Sequence, residues 1–416
     1  MSHLWRPFSP PHASAPMLLT RGQGSEVADA TGRRYIDAAG GLWNVALGQG
    51  HARLIEQMQR QLQTLSFGSL FHATNAPAEQ LCDRLVALAG GSMQTVVLST
   101  TGSSAVDVAL RVARLHHWAR GHADKLGIVS FDKGYHGSSL LGLNAGRQLV
   151  PELAPHDRLP GFFQVPAPVN EDESLAALHQ LLTQRGHELA CLILEPVVGS
   201  GGILVPSPAY GEAVTNLCRQ HDVLLVADEV ATGAGRCGAF LASPLLHLKP
   251  DIVALSKGLN SGYFPLACTL FSRDVVAPIA DQGLALPYGC TQDGNPVGCV
   301  TALATLEQLE TQNLYERAST LGQHLQQQLR ERTSSAVVRQ VRGLGLMIGI
   351  ELMHDDGRNT PFSAAESEHA KNLCQDEGLL TYHFDRGLSL FPALTLDDDE
   401  AHTLLDILVD VINQLT

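Results

Sequence analysis

Between residues 95 and 270, short runs of apolar residues alternate with longer segments whose apolar positions recur at helical spacing. The runs are Thr95-Val96-Val97-Leu98-Ser99, Leu126-Gly127-Ile128-Val129-Ser130-Phe131, Leu192-Ile193-Leu194, Val223-Leu224-Leu225-Val226-Ala227 and Ile252-Val253-Ala254-Leu255. Continuous apolarity, rather than alternation, suits a strand covered on both faces. The segments between them, about 105–120, 171–184 and 210–220, carry the helical period. Strands alternating with helices predict an α/β fold with a mostly parallel central sheet and crossover helices.

On either side the pattern changes. Residues 1 to about 25 are proline-rich and read as irregular, 26–37 as a hairpin turning at Thr31-Gly32, and Gly40-Gly41-Leu42-Trp43-Asn44 as a glycine-loosened loop. Leucine spacing predicts helices over 51–65 and 77–88, and the proline-rich reach 144–170 reads as loop. After a turn-rich stretch at 288–296 come helices at about 297–310 and 314–331, a strand pair within 341–351, and a last helix at about 397–415. Acids at the start of that helix complement its dipole and have no catalytic reading. The expected division is an N-terminal segment, 1–50, packing with a smaller α+β domain, 301–416, around a large domain, 51–300.

The chemistry gathers where the apolar runs end. The run 223–227 delivers Asp228-Glu229-Val230, and 252–255 delivers Ser256-Lys257-Gly258. In a parallel sheet both charges lie at the carboxyl edge, where open α/β sheets bind ligands, so an acid and a lysine face one crevice. The run 126–131 ends in Asp132-Lys133-Gly134-Tyr135-His136-Gly137, a second lysine beside an aromatic that could lie against a ring. The residues alone do not choose between Lys133 and Lys257. Thr100-Thr101-Gly102-Ser103-Ser104, between a strand and a helix, suits a phosphate held at a helix amino end. It suits a plain Ser/Thr cap equally well.

Composition narrows the class. The chain has 416 residues, 44% hydrophobic and 17% charged, with a formal charge of -14 and no basic stripe, which argues against nucleic acid or an anionic membrane as partner. Its eight cysteines are scattered without a Cys-x-x-Cys pair and read as reduced core thiols, not a disulfide framework or zinc site. The amino terminus lacks a signal-peptide apolar region, so a cytoplasmic protein is expected. Gly233-Ala234-Gly235-Arg236-Cys237-Gly238 matches a dinucleotide fingerprint, but Pro244 interrupts the helix that should follow. His116, His117 and His122 read as solvated surface residues rather than metal ligands, and Asp107 with Arg111 as a helix-surface ion pair.

A lysine, an acid, a ring-stacking aromatic and a phosphate cradle together fit pyridoxal 5'-phosphate chemistry. The chain resembles the class III, or omega, aminotransferases of the fold type I pyridoxal-phosphate superfamily nearly end to end. The resemblance is carried by Gly41-Leu42-Trp43-Asn44, Thr101-Gly102-Ser103-Ser104-Ala105-Val106-Asp107, Tyr135-His136-Gly137, Leu194-Glu195-Pro196-Val197, Asp228 to Arg236, Leu255-Ser256-Lys257-Gly258-Leu259 and Thr291 to Pro296. It implies a fold type I transferase with Lys257 as the lysine that carries the cofactor and Asp228 as partner of the pyridine nitrogen. Val230 and Tyr135 would cover the ring faces, with His136 beside them, and Thr101, Gly102 and Ser103 would hold the phosphate. Thr291 would reach the neighbouring subunit's phosphate, which implies a homodimer or dimer of dimers with shared sites. Glu195 would lie toward the cofactor's hydroxyl side, Trp43 would line the substrate pocket, and Lys133 would be an ordinary loop lysine.

Three departures qualify the resemblance. Ser104 stands where the family usually has Glu, Ala231 and Thr232 where Gln or Met is common, and Ser389 at the place of an arginine that clamps a substrate carboxylate. Arg386 lies three residues upstream, an odd offset that on a strand points away. The resulting expectation is an aminotransferase moving an amino group from an amine, omega-amino or amino-acid donor to a 2-oxo acid such as pyruvate, with donors lacking an α-carboxylate favoured. An aminomutase or racemase on the same scaffold, and a non-catalytic scaffold subunit, are the alternatives.

Overall fold

In the computed structural model, which describes residues 3–13, 16–146 and 157–415, the apolar runs form the strands of the central sheet. Three strands precede it: β1 (Leu19–Gln23), β2 (Glu26–Asp29) and β3 (Arg34–Asp37). The sheet contains β4 (Met93–Ser99), β5 (Gly127–Phe131), β6 (Phe162–Val165), β7 (Leu189–Leu194), β8 (Leu224–Asp228), β9 (Ile252–Leu255) and β10 (Ala267–Ser272). The remaining strands are β11 (Val338–Leu344), β12 (Met347–Leu352), β13 (Leu379–Leu380), β14 (Tyr382–Phe384) and β15 (Gly387–Leu390). Helices α1 (Ala52–Thr64) and α2 (Ala76–Ala89) precede β4, and α3 (Gly102–Ala119) follows it. Helices α4 (Leu140–Ala145), α5 (Glu171–Arg185) and α6 (Pro208–Gln220) lie between β5 and β8. Helices α7 (Arg273–Asp281), α8 (Pro296–Thr311) and α9 (Leu314–Arg332) follow β10, and α10 (Ala364–Asp376) and α11 (Asp398–Gln414) complete the set.

The central order is β4-β10-β9-β8-β7-β5-β6. Neighbours from β6 to β9 pair in parallel, while β10 is antiparallel to both β9 and β4. Strand β4 therefore runs the same way as β5, β7, β8 and β9, and the carboxyl ends of all five share one edge. Every residue of β5, β7, β9 and β10 is buried, which is why these runs are apolar without alternation. Two smaller sheets flank this one. Strand β13 adds in parallel to β3 of the N-terminal meander, and β11-β12-β15-β14 form the other. The N-terminal and C-terminal segments meet again where Phe391 N–H donates to Ala38 O and Leu394 N–H to Ala46 O, each 2.7 Å.

Several expectations change. The N-terminal stretch is not irregular throughout, because β1 pairs with β2; all five of its residues are exposed, so no apolar period betrays it. Within 144–170, residues 147–156 lie outside the described residues, but Phe162–Val165 forms β6 against β5, hidden from sequence reading by the prolines around it. His116 and His117 are buried, not solvated; their rings bond to Val275 O (3.0 Å) and Ala190 O (2.9 Å). Asp107 and Arg111 do not pair: Asp107 accepts from the Ser139 hydroxyl, and Arg111 donates to Pro287 O. Among the described residues no helix is long and apolar enough to cross a membrane.

The glycine-rich stretch after β8 turns back instead of opening a helix. Arg236 at its centre is buried and donates to the carbonyls of Leu346 (3.2 Å) and Pro392 (2.5 Å). Glu229, adjacent to Asp228, is fully buried and ties the loop down. One of its oxygens accepts from Ser243 N–H (2.7 Å) and O–H (2.6 Å), the other from Thr232 O–H (2.6 Å) and Ala242 N–H (3.0 Å). Replacing Glu229 by Ala orphans two buried backbone donors, at about 1–3 kcal/mol each. We expect Glu229→Ala to lose about 2–5 kcal/mol in urea unfolding; an unchanged midpoint would show that the loop does not depend on this carboxylate.

Candidate active site

The shared strand edge gathers side chains that are far apart in sequence. Asp228 ends β8, where its Oδ1 accepts from Val230 N–H at 3.1 Å and its Oδ2 lies 2.8 Å from His136 Nδ1. A carboxylate only accepts, so this contact keeps a proton on Nδ1. His136 reaches Asp228 because β7 alone separates β5 from β8. Lys257 follows β9 with a φ of 41°, in the left-handed region that costs a side-chain-bearing residue about 1–3 kcal/mol. Burial lowers the pKa of its ammonium, and the nearby Asp228 and Glu195 carboxylates oppose that shift.

Over the lysine stands Trp43, its ring centroid 4.6 Å from Lys257 Nζ. The indole is presented by a left-handed turn: Gly40, Gly41, Leu42 and Trp43 have φ of 56°, 55°, 69° and 66°. Leu42 and Trp43 pay a steric cost for this that glycine would not. What holds the turn is local: Gly41 N–H donates to Asp37 Oδ2 at 2.8 Å, and Trp43 N–H to Ala39 O at 2.9 Å. The indole also stacks on Phe391 (4.3 Å, 20°) and meets Tyr382 edge-on (5.5 Å, 85°). A Cβ at Gly40 would lie 2.3 Å from Phe391 O, so only glycine admits that approach.

Gly102 and Ser103 begin α3 at the edge of the same cavity. Thr101 Oγ1 caps the helix by accepting from Ser104 N–H at 3.0 Å, and Ser103 Oγ accepts from Ser138 N–H at 3.1 Å. The free N–H groups and the helix dipole make this a cradle for an anion. A Cβ at Gly102 would lie 2.9 Å from Val230 Cγ1, so the cradle presses directly on the residue that follows Asp228-Glu229. Glu195, after β7, accepts from Tyr135 N–H and Gly199 N–H, both at 3.0 Å. Burial pushes its carboxyl up to about 7.

One cavity of about 160 Å³ is lined by Trp43, Thr101, Gly102, Ser103, Tyr135, His136, Glu195, Asp228, Val230 and Lys257, with Val106, Gly137, Ala231 and Ser256. Three of the anticipated residues are elsewhere. Thr291 is exposed in the turn before α8, Ser389 is buried in β15 and donates to Tyr382 O at 3.4 Å, and Arg386 is exposed in the turn after β14. Arg386 lines a separate cleft that also contains Lys133. Sequence reasoning missed Asp37, Gly199, Tyr382 and Phe391, which support Trp43; Asp37 lies just before the turn and the others come from distant segments. The residues present fit pyridoxal phosphate in kind: an amine whose charged form burial disfavours, a fixed carboxylate and an anion cradle line one cavity. His136 Nε2, buried and without a hydrogen-bond partner, leaves an acceptor free beside them.

Residues 8–412 match the family model described as aminotransferase class-III. The chain is 33% identical to the uncharacterised aminotransferase YhxA of Bacillus subtilis, over 91% of this chain and 86% of that one. It is 30% identical to the mitochondrial gamma-aminobutyrate transaminase 1 of Oryza sativa subsp. japonica, over 95% and 81% of the two chains. Among solved structures, an amine transaminase from an uncultivated Pseudomonas species in its PLP-bound form superposes with a TM-score of 0.93 at 32% identity, covering 100% of this chain and 99% of that one. Fold and family coincide: the chain belongs to the class III aminotransferases, pyridoxal-phosphate-dependent enzymes of fold type I that transfer amino groups.

Proposed function

We propose that this aminotransferase takes its amino group from an amine or omega-amino donor lacking an α-carboxylate and gives it to a 2-oxo acid such as pyruvate. The charge around the cavity carries the reading. Among the described lining residues Lys257 is the only lysine or arginine, and the carboxyl groups of Asp228 and Glu195 stand against it. A donor's α-carboxylate would meet no guanidinium there, since Ser389 is turned to the Tyr382 carbonyl and Arg386 belongs to another cleft. The solved neighbour named as an amine transaminase supports the same donor class.

Lys257 would anchor the cofactor, with Thr101, Gly102 and Ser103 at its phosphate, Asp228 at its ring nitrogen and Glu195 toward its hydroxyl side. Val230 and Tyr135 would lie against the ring faces. Pyridoxal phosphate, when bound, supplies a protonated aromatic ring that draws off the electron pair left when the donor C–H bond breaks. Desolvation favours a neutral Lys257 Nζ, able to take a proton from the donor carbon and return one to the acceptor carbon. The Asp228 carboxylate would keep the ring nitrogen protonated, and its bonds from His136 and Val230 stop it from swinging aside. Trp43 closes the substrate side above Nζ and shields it from water.

The proposed assembly is a homodimer, or a dimer of dimers, in the cytoplasm. Support for association comes from Phe71, 63% exposed, which with Leu70 and Leu286 lines an apolar cleft next to the turn carrying Thr291. All eight cysteines are free, as a reducing compartment allows.

With an amine donor carrying labelled nitrogen and pyruvate as acceptor, the label is expected in the new amino acid. Label retained on the starting compound would favour the aminomutase or racemase reading, and faster turnover of α-amino acids than of amines would contradict the missing clamp. For the assembly, Phe71→Asp is expected to sediment as a monomer and retain cofactor less well; an equally tight dimer would exclude this face.

A further inference from the structure

Glu195 has no fixed cation of its own. It is 5% exposed, lines the cavity below Trp43, and accepts one backbone N–H at each oxygen, from Tyr135 and Gly199. Each oxygen keeps a second lone-pair direction for a further partner. A Cβ on Gly199 would lie 3.1 Å from Glu195 Oε2 and 2.8 Å from Trp43 Cζ3, so the carboxyl and the indole edge flank the same glycine. The titratable groups that face Glu195 are Tyr135, His136, Asp228 and Lys257. Lys257 is the one lysine among them, and the Asp228 carboxylate shares its charge.

Transamination brings two unlike molecules to this place in turn: an amine without a carboxylate, and an oxo acid whose carboxylate carries a full charge. An anion entering a cavity that already holds the buried Asp228 and Glu195 carboxylates is repelled. A guanidinium would offset the repulsion, and no arginine is among the described lining residues.

We propose that Glu195 is the residue that admits both substrates by exchanging a proton: as a carboxylate it faces the amine donor, and as a carboxylic acid it donates its O–H to the carboxylate of the oxo acid. The proton is taken from solvent when the oxo acid binds and returns to solvent when the carboxylate-bearing product leaves. No bond to carbon is made or broken at Glu195, and no electrons are transferred. Burial has already raised the carboxyl to about 7, so protonation near neutral pH costs little, while the two N–H bonds keep the ionised form accessible. The inference rests on the 2-oxo acid acceptor proposed above.

The test is calorimetric titration of the cofactor-loaded enzyme with propionate, which cannot react, in buffers of different ionisation enthalpy. At about pH 8 the wild type is expected to take up close to one proton per propionate bound, with affinity falling about tenfold for each pH unit above about 7. Glu195→Gln, whose amide donates permanently, is expected to bind propionate with no proton uptake and no such pH dependence. Binding without proton uptake in the wild type would overturn the proposal, as would undiminished uptake in Glu195→Gln, which would move the proton to His136 or another group. Failure of the wild type to bind propionate at any pH would remove the carboxylate acceptor and this inference with it. If the variant does not load cofactor, the wild-type proton count still decides.

Discussion

The parallel pairing of β8 with β9 is the constraint on which the site depends. Its register sets Asp228 opposite Ala254, and Glu229 N–H donates to Ala254 O at 2.9 Å, so that Lys257 emerges just beyond the acid. Neither strand can slip, because each is buried on both faces and bonded to a neighbour on either side. Asp228 and Glu229 then divide the work. The first is fixed by His136 and Val230 toward the cavity, and the second faces away and ties down the loop that would otherwise leave the edge open.

The wall opposite this edge is built in a different manner. Trp43 stands on a turn whose backbone is strained at Leu42 and Trp43, and the strain is offset by the Asp37 carboxylate, the Phe391 stack and a glycine pressed against the Phe391 carbonyl. Because Phe391 follows β15 and Asp37 ends β3, the position of the indole depends on the junction of the N-terminal and C-terminal segments. Motion at that junction would be felt first at Trp43, directly over the lysine. Glu195 lies on the same side and shares Gly199 with the indole edge.

Sequence carried the central sheet and the gathering of an acid, a lysine and a Thr-Gly-Ser turn at one strand edge. Short apolar runs leading to Asp228, Glu195 and Lys257 are a local signal, and so is a strand followed by Thr101-Gly102-Ser103. What it did not carry is contact at a distance. The choice between Lys133 and Lys257 is open in the residues alone because both follow apolar strands; in the fold Lys133 lines another cleft. The two histidines of α3 read as surface because a polar side chain on a helix usually is, yet both are buried against carbonyls of neighbouring elements. Strand β1 escaped because its residues are all exposed, and β6 because prolines surround it. The remote supports of Trp43 left no local trace, since Gly199, Tyr382 and Phe391 meet it only through the fold.

The direct test of the central claim is a single-turnover measurement on Asp228→Asn loaded with pyridoxal phosphate. If Asp228 holds the ring nitrogen's proton, the variant should keep the absorbance of the lysine-bound cofactor yet consume an amine donor at least about a hundredfold more slowly. A half-reaction as fast as in the wild type would contradict the assignment of the β8–β9 edge as the catalytic frame.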